Sequence, residues 1–319
     1  MRSAVVGYGV IGRHHAKLLS KMGHLSAVCD INSEVLAGLD GVALYSDYTE
    51  MLEREKLDAV HICTPHYLHA DMIIAALDRG IHVLCEKPMC IREEDICRIL
   101  EAEKRSGAML GVCHQNRYNA ANLYVKDYIK DKELQGGVGQ VSWLRDANYY
   151  RSGTWRGKWD SEGGGVLINQ ALHTLDLMIW FCGMPDSLSA SISNLTLDGV
   201  IEVEDTAAIC AKGEHGFNFY ASNGSAVDLP VEVTLKVSGD AVKIMPKYAV
   251  IEGEILKFDN VAPTGIKLCY GSGHAALLAD FYDCIMTGRK FEIDGAEASK
   301  VIKVILAAYK SNGKSLKIK

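Results

Sequence analysis

The stretch Val5-Val6-Gly7-Tyr8-Gly9-Val10-Ile11-Gly12 decides the fold of the first part of the chain. The apolar run Ser3–Val6 before it predicts a strand, and the apolar spacing over Ile11–Met22 after it predicts a helix. Three glycines spaced as G-x-G-x-x-G between a strand and a helix are typical of a dinucleotide-binding turn. A glycine-rich turn without a ligand is the alternative interpretation.

A separate physical reason explains why each of these three positions requires glycine. Gly7 permits the tight turn, Gly9 lets the backbone approach a diphosphate, and Gly12 lets the helix pack closely on the strand. The free N–H groups and the positive end of the helix dipole suit phosphate oxygens. We therefore expect the cofactor to contact Gly7 to Gly12, including the intervening Tyr8, Val10 and Ile11.

Asp30 ends the next predicted strand, Leu25–Cys29, and lies 18 positions after Gly12. An acidic residue about twenty residues after the glycines accepts a hydrogen bond from the adenosine ribose 2′-hydroxyl. Because a carboxylate repels a 2′-phosphate, NAD is favoured over NADP. A helix N-cap is the alternative role for Asp30.

Beyond Asp30 the chain continues as alternating short apolar runs and helical patterns. This alternation predicts a parallel, doubly wound sheet with right-handed crossovers. After Leu25–Cys29, the predicted strands are Val42–Leu44, Ala59–Cys63, Ile81–Cys85 and Met109–Cys113, and the predicted helices are Asn32–Leu39, Tyr48–Glu55, His69–Arg79 and Arg92–Ser106.

After about residue 118 the pattern changes to one typical of an antiparallel sheet with one covered face. We predict a Rossmann domain over residues 1–118 and an α+β domain with an open-faced, mostly antiparallel sheet over residues 119–319, with the last two helices able to pack on the first domain. The predicted elements are a helix over Ala120–Asp131, a loop at Gly136–Gly139, a strand over Gln140–Tyr150, a helix over Val166–Phe181, strands from Ser187 to Phe258, and helices over His274–Met286 and Ala296–Tyr309.

Composition narrows the class of protein. Hydrophobic residues make up 48% of the 319 residues, enough for two cores, and the net charge of −6 disfavours nucleic acid and anionic membranes as partners. The 10 cysteines form no CxxC pair, which is typical of a reducing compartment. A strand begins directly after Met1-Arg2, without a signal-peptide pattern, so we expect a cytoplasmic protein. Neither His14-His15 nor His66 with His69 has partners at metal-ligand spacing, so we predict no metal.

Ligands of open α/β sheets bind beyond the carboxyl ends of the strands. Thr64-Pro65 and Glu86-Lys87-Pro88 lie at two such ends. A positively charged nicotinamide nearby lowers the pKa of a lysine, which makes Lys87 a candidate for proton transfer. A surface lysine in a charged loop is the alternative.

The glycines Gly163 to Gly165 precede a mostly apolar helical pattern that carries Asn169, His173 and Asp176. Their spacing of four and three residues predicts one shared helix face. His173 is a candidate proton acceptor for alcohol oxidation, since imidazole exchanges protons near neutral pH. A core histidine held by Asp176 is the alternative.

The segment Tyr149 to Trp159 mixes aromatic residues with arginine and small residues. Such a mixture suits a polyhydroxylated ring with an apolar face, and a loop that packs on its own domain is the alternative. The candidate residues for the substrate pocket are Tyr149, Tyr150, Trp155, Arg156, Asn169, Arg117 and His274.

Together, the glycine turn, Thr64-Pro65, Glu86-Lys87-Pro88 and the segment Gly163–Asp176 resemble the Gfo/Idh/MocA oxidoreductase family over nearly the whole chain. The resemblance implies a Rossmann domain followed by an open-faced sheet, through which members pair as dimers or tetramers. It also implies that Lys87 is the active-site lysine and His173 the catalytic histidine. Asn169 stands where many members carry aspartate, so this side chain either orients His173 or binds a substrate hydroxyl.

The function that follows from this sequence is NAD-dependent hydride transfer between nicotinamide and a secondary alcohol of a sugar, an inositol or a sugar derivative. Two alternatives remain open here. One is an NAD-dependent glycosidase or lyase that works by transient oxidation, and the other is a non-catalytic NAD-binding sensor.

Overall fold

The computed structural model describes residues 1–224, 229–259 and 272–318. The chain divides into two compact units. The first unit contains residues 1–113 and 279–299, and the second contains residues 114–278 and 300–319. The predicted domain division at residue 118 stays a prediction.

The first unit contains six strands joined by helices. The strands are β1 (Ser3–Val6), β2 (Leu25–Cys29), β3 (Ala43–Tyr45), β4 (Ala59–Ile62), β5 (His82–Cys85) and β6 (Leu110–Val112), and the connecting helices are α1 (Val10–Lys21), α2 (Tyr48–Arg54), α3 (His69–Leu77) and α4 (Glu93–Ser106). The strands form one sheet with the order β3-β2-β1-β4-β5-β6, in which all neighbours are parallel. This confirms the predicted Rossmann architecture. The side chains of β1 and β4 are buried throughout, as expected for a parallel sheet covered by helices.

The second unit contains a nine-stranded sheet. Its strands are β7 (Leu134–Ser142), β8 (Ser187–Ser193), β9 (Thr206–Lys212), β10 (Phe217–Ser222), β11 (Glu232–Val237), β12 (Asp240–Met245), β13 (Tyr248–Ile251), β14 (Glu254–Lys257) and β15 (Leu316–Lys317). They are arranged in the order β14-β13-β12-β11-β7-β10-β9-β8-β15. Only β7 and β10 pair in parallel among the described neighbours, which confirms the predicted, mostly antiparallel sheet.

The other helices are α5 (Ala120–Tyr128), α6 (Ala147–Arg151), α7 (Leu172–Cys182), α8 (Gly273–Thr287) and α9 (Gly295–Ser311). Most predicted helices end within about three residues of these bounds. The predicted α-helix Asn32–Leu39 is instead a short 3-10 helix over Ser33–Leu36. No helix in the described part of the chain is long and apolar enough to cross a membrane.

The prediction of a loop at Gly136–Gly139 is wrong, because these glycines lie inside β7. A Cβ atom at Gly137 would approach the Leu235 side chain to 2.9 Å, and one at Gly139 would approach the Met178 side chain to 2.8 Å. The glycines therefore let the helix α7 and the neighbouring strand pack closely on β7. Glycine within a strand often marks such a close approach.

The prediction of one long strand over Gln140–Tyr150 is also wrong. β7 ends at Ser142, and the short helix α6 begins at Ala147. The carboxylate of Asp146 accepts a hydrogen bond from the Tyr149 N–H at 2.9 Å. This N-cap starts a helix where the aromatic residues alone indicate a strand.

The predicted helix Val166–Phe181 begins six residues late, at Leu172, so Asn169 does not share a helix face with His173 and Asp176. The cause is Glu204, whose carboxylate oxygens accept hydrogen bonds from the N–H groups of Gly165 (2.9 Å) and Leu167 (3.0 Å). The Glu204 carbonyl accepts a third from Val166 at 3.1 Å. Residues 165–171 are held as a series of turns by this carboxylate.

The buried carboxyl group of Glu204 makes the stability of the folded protein depend on pH. Burial raises the pKa of Glu204 from 4.5 to about 7 despite these hydrogen bonds. The folded state therefore binds this proton more tightly than the unfolded state. The resulting stability is fully present below about pH 4.5 and is lost as the pH rises through about 7.

Between about pH 5 and pH 8 we expect the free energy of unfolding of the wild type to fall by roughly 3 kcal/mol relative to that of Glu204→Gln, which cannot ionise. Urea denaturation of both proteins at each pH measures the difference. Parallel pH profiles for the two proteins would contradict the assignment.

Candidate functional site

The glycine turn of the first unit lies between β1 and α1. Gly7 has a φ of +85°, and a Cβ atom there would lie 2.6 Å from the carbonyl oxygen of Cys63. A Cβ atom at Gly12 would overlap the carbonyl oxygen of Gly7. Both positions therefore require glycine, as predicted from the spacing.

Gly9 has a different environment. It is the N-cap residue of α1, where no side-chain cap is formed and the first turn carries no acidic residue, within the described structure. A Cβ atom at Gly9 would meet no heavy atom within 4 Å. The start of this 12-residue helix is therefore open at Gly9, and the backbone N–H groups of a first helical turn are the donors that bind a diphosphate. These residues fit a dinucleotide.

Asp30 lies directly after β2 and reaches the same turn. One carboxylate oxygen accepts a hydrogen bond from the Tyr8 N–H at 2.6 Å, and the other accepts from the Asn32 N–H at 2.9 Å. The next side chain, Ile31, is 93% exposed. An exposed apolar side chain beside a carboxylate suits the adenine and ribose of a nucleotide.

His69 links the two other predicted segments of the first unit. Nδ1 of its fully buried ring lies 2.7 Å from the Pro88 carbonyl oxygen and Nε2 lies 2.8 Å from the Thr64 carbonyl oxygen, and the tautomer sets which of the two accepts its N–H. Burial lowers the pKa of His69. The segments Thr64-Pro65 and Glu86-Lys87-Pro88 are therefore joined at the carboxyl ends of β4 and β5. The sequence gives no signal for this role of His69.

Glu86 is 7% exposed. Its carboxylate oxygens lie 3.1 Å from Nε2 of His15 and 3.3 Å from the Lys87 backbone N–H. Cys113 also lies beside this carboxylate, and one ligand atom from each of His15, Glu86 and Cys113 falls within 4.8 Å of the others. The Cys113 thiol is hydrogen-bonded to Glu86, and burial raises its pKa well above the usual value. The structure thus brings His15 together with a carboxylate and a thiol that are distant in sequence, partners that the sequence spacing does not indicate.

His173, the second residue of α7, is 3% exposed. Its Nε2 lies 3.2 Å from the amide nitrogen of Gln115. Since an amide N–H₂ group donates, Nε2 accepts in this pair and carries no proton. An imidazole in this state can act as a base. A Cβ atom at Gly273 would overlap the Gln115 carbonyl, so the start of α8, with buried His274, lies close to Gln115.

Asp176 pairs with Arg117 and His114. The Arg117 guanidinium donates to both carboxylate oxygens, at 2.8 and 2.6 Å, and Nδ1 of His114 lies 3.3 Å from one of them. Burial alone would raise the pKa of Asp176, but Arg117 and His114 hold it well below its usual range. Bidentate pairing of this kind fixes geometry as well as charge. In the structure Arg117 is thus an internal partner of the helix that carries His173.

Asn169 lies in the turn before α7. Its amide donates to the carboxylate of Glu162, which is fully buried, and lies 3.4 Å from the Tyr149 hydroxyl. Gln170 donates to the same hydroxyl at 3.0 Å. The structure therefore joins Asn169 to Tyr149, both predicted as substrate-binding residues. Glu162 and Gln170 were not found from the sequence.

Arg156 completes this group. It donates to the Tyr149 hydroxyl at 2.7 Å, and its guanidinium lies 4.6 Å from the Tyr149 ring centroid and 4.7 Å from that of Trp155. Tyr150 faces the other way, into a small core with Leu197, Ile201 and Val203. Its hydroxyl accepts a hydrogen bond from Asn223 at 2.8 Å.

Comparison with known proteins adds the family. The profile described as "Oxidoreductase family, NAD-binding Rossmann fold" matches residues 1–114, and the profile of the GFO/IDH/MocA C-terminal domain matches residues 124–244. An inositol 2-dehydrogenase from Salmonella paratyphi B is 28% identical over 189 residues, which are 56% of this chain and 54% of that protein. The chain thus spans about half the length of the curated relatives that it matches.

Two solved structures are similar over the full length of the chain. The WlbA dehydrogenase from Bordetella pertussis, in complex with NADH and UDP-GlcNAcA, has a TM-score of 0.85 and 28% identity and covers 100% of this chain and 98% of that one. The corresponding complex from Chromobacterium violaceum has a TM-score of 0.85 and 29% identity, with 100% and 96% covered. With both profiles in their expected order, the chain belongs to the Gfo/Idh/MocA family of oxidoreductases.

Proposed function

We propose that the protein is an NAD-dependent oxidoreductase that transfers a hydride between nicotinamide and a secondary alcohol of a sugar, an inositol or a sugar derivative. The observation that carries the proposal is the open backbone cradle at Gly9, at the start of α1 and beside Asp30. Two similar structures contain NADH and a nucleotide sugar.

The cofactor would be held by the residues at the carboxyl edge of the parallel sheet. The turn Gly7–Gly12 would bind the diphosphate, and Asp30 would accept a hydrogen bond from the ribose 2′-hydroxyl. Thr64-Pro65 and Glu86-Lys87, joined through His69, would border the nicotinamide half. Bound NAD supplies the hydride acceptor, and the protein supplies position and charge.

In this mechanism His173 accepts the hydroxyl proton of the substrate through Nε2. Gln115 keeps that nitrogen oriented until the substrate binds. Lys87 donates a hydrogen bond to the same substrate oxygen and stabilises its developing negative charge. The pair Arg117–Asp176 fixes the helix that carries His173.

The substrate class follows from the group around Tyr149. Asn169 and Arg156 offer polar hydrogens, and Trp155 offers an apolar ring face. We propose that these residues, with His274 near Gln115, bind the hydroxyls and one face of a sugar or inositol ring. Arg117 and Tyr150 would hold the surrounding structure in place and would not contact the substrate, since their polar groups bond Asp176 and Asn223.

The environment of the protein is proposed on the same basis. The described cysteines are all free thiols, while Cys269 lies outside the described residues, and free thiols favour a reducing, cytoplasmic location.

Val138 and Tyr220 are about half exposed on the central strands β7 and β10. We propose that this face pairs with a second copy in a dimer or tetramer. The net charge of −6 speaks against nucleic acid and membrane partners.

The proposed dehydrogenase activity predicts that substitution of Lys87 or His173 slows the formation of NADH. We expect purified protein with NAD to form NADH from at least one inositol, aldose, anhydrosugar or nucleotide sugar. Lys87→Ala and His173→Ala should each lower kcat with that substrate by about 10²- to 10⁴-fold, the usual contribution of a proton-transfer group.

Lys130→Ala and His215→Ala are the matched controls, because they change a lysine on the surface and a histidine in a turn of the second unit. NADH absorbance measures all five proteins. Wild-type turnover in both Lys87→Ala and His173→Ala would show that the site is elsewhere.

Asp30 predicts the choice of cofactor. Asp30→Asn removes the charge but keeps an oxygen that can accept from the Tyr8 N–H. We expect the ratio of kcat/KM for NADP to that for NAD to rise at least about tenfold, because a like-charge repulsion is lost. Asp40→Asn, an exposed neutralisation in the same unit, should leave the ratio unchanged. A preference of the wild type for NADP would overturn the role of Asp30.

A further inference from the structure

Two arginine side chains lie against the ring of Tyr149 in the second unit. The guanidinium carbon of Arg145 is 5.0 Å from the ring centroid, and that of Arg156 is 4.6 Å from it. Each arginine also lies over a tryptophan ring, at 5.6 Å from the centroid of Trp143 for Arg145 and at 4.7 Å from that of Trp155 for Arg156. Aromatic contacts therefore hold two positive charges next to one phenol group.

No carboxylate pairs with either arginine within residues 1–224, 229–259 and 272–318. Arg145 Nη1 donates to the Leu144 carbonyl at 2.7 Å, and Arg156 Nη1 donates to the Tyr149 hydroxyl at 2.7 Å. Neither acceptor carries a charge, although both arginine side chains are partly buried. A guanidinium has five N–H groups, in a fork that matches the oxygens of a carboxylate or a phosphate. Each arginine therefore keeps several donors for an oxyanion.

The Tyr149 hydroxyl is surrounded by donors. Its oxygen accepts from Arg156 at 2.7 Å and from the Gln170 amide at 3.0 Å. The Gln170 carbonyl accepts from Asn223 at 2.9 Å, which turns the NH₂ group of Gln170 toward Tyr149. The amide nitrogen of Asn169, 3.4 Å away, is a further donor. The O–H of Tyr149 must therefore donate to an acceptor that the described part of the chain does not supply.

We propose that Arg145, Arg156 and the Tyr149 hydroxyl form a subsite for an oxyanion of the substrate, a carboxylate or a phosphate group. The proposal rests on the proposed function and narrows it, because the substrate becomes an anionic sugar derivative. Asn169, beside the Tyr149 hydroxyl, stands four positions before His173. A sugar ring bound by Asn169 would therefore place its own oxyanion on the two arginines.

The subsite also acts over a distance. The chain as a whole carries a net charge of −6, so two arginines without a paired carboxylate make a local positive region on an acidic protein. Such a region attracts anionic ligands, and salt screens the attraction. The affinity for an anionic sugar should therefore fall with ionic strength, whereas the affinity for a neutral sugar should not.

Ligand-observed NMR titrations of the NADH-saturated protein test the subsite. Saturation with NADH prevents oxidation of the sugar and keeps phosphate groups out of the dinucleotide turn. Glucuronate, glucose 6-phosphate and UDP-glucose are compared with glucose at low ionic strength. At least one of these three anions should bind about tenfold more tightly than glucose, the effect of one hydrogen bond to a charged group.

The same titrations identify the source of the oxyanion. Tighter binding of glucuronate assigns the subsite to a carboxylate, and tighter binding of either other anion assigns it to a phosphate. If glucose binds as tightly as all three anions, the subsite does not exist.

Substitutions of the two arginines locate the binding of the anion. Arg145→Gln and Arg156→Gln should each raise the Kd of the preferred anion at least about tenfold and leave the Kd of glucose unchanged. Arg145→Lys and Arg156→Lys, which keep the charge and lose the fork, should recover part of the affinity. Arg151→Gln, at the exposed end of the same helix α6, is the matched control and should bind both ligands as the wild type does.

A merely structural role of the arginines would give a different result. In that case the glutamine variants would lose affinity for glucose and for the anion in equal proportion, and the lysine variants would not recover it. That outcome would overturn the proposal, as would wild-type affinity for the anion in both glutamine variants.

The oxyanion subsite and the dehydrogenase activity can fail separately. Arginine-dependent binding of an anionic sugar without NADH formation from NAD would count against the dehydrogenase alone. Oxidation of neutral sugars with a kcat/KM equal to that of their anionic counterparts would count against the subsite alone.

Discussion

The close approach of backbone to backbone at the glycine turn is the constraint on which the first unit depends. Gly7 lies against the Cys63 carbonyl at the end of β4, and Gly12 lies against the Gly7 carbonyl. No side chain fits at either position, so the start of α1 is held tightly at the carboxyl edge of the sheet. The space beside Gly9, at the N-terminus of this helix, stays open, and a helix N-terminus is a place where a diphosphate can bind.

In the second unit, buried carboxylates hold the segments that carry the candidate site residues. Glu204 holds the turn after the three glycines, Glu162 holds Asn169, and Asp176 ties α7 to Arg117. Each of them accepts several donors, which offsets the cost of burial. Buried acceptors therefore hold both the turn before Asn169 and the helix that carries His173.

The sequence predicted the features that depend on local pattern. The glycine spacing and the β-α alternation gave the Rossmann sheet, and the change of periodicity gave the antiparallel sheet. Features that depend on contacts between residues far apart in sequence could not be predicted. The segment Gly136–Gly139 resembles a loop in sequence because the packing of Met178 and Leu235 on Gly137 and Gly139 is not visible there. The start of α7 likewise depends on Glu204, which is distant in sequence. His69, Gln115 and Glu162 likewise act through partners that no spacing indicates.

In the proposed reaction a hydride passes directly from a substrate carbon to nicotinamide. Incubation of the protein and NAD with an alcohol deuterated at the reacting carbon, followed by mass spectrometry of the reduced cofactor, tests it most directly. Direct transfer predicts NADH that is heavier by one deuterium, carried at C4 of the nicotinamide ring. Unlabelled NADH, or deuterium recovered in water while the cofactor returns to NAD, would contradict it.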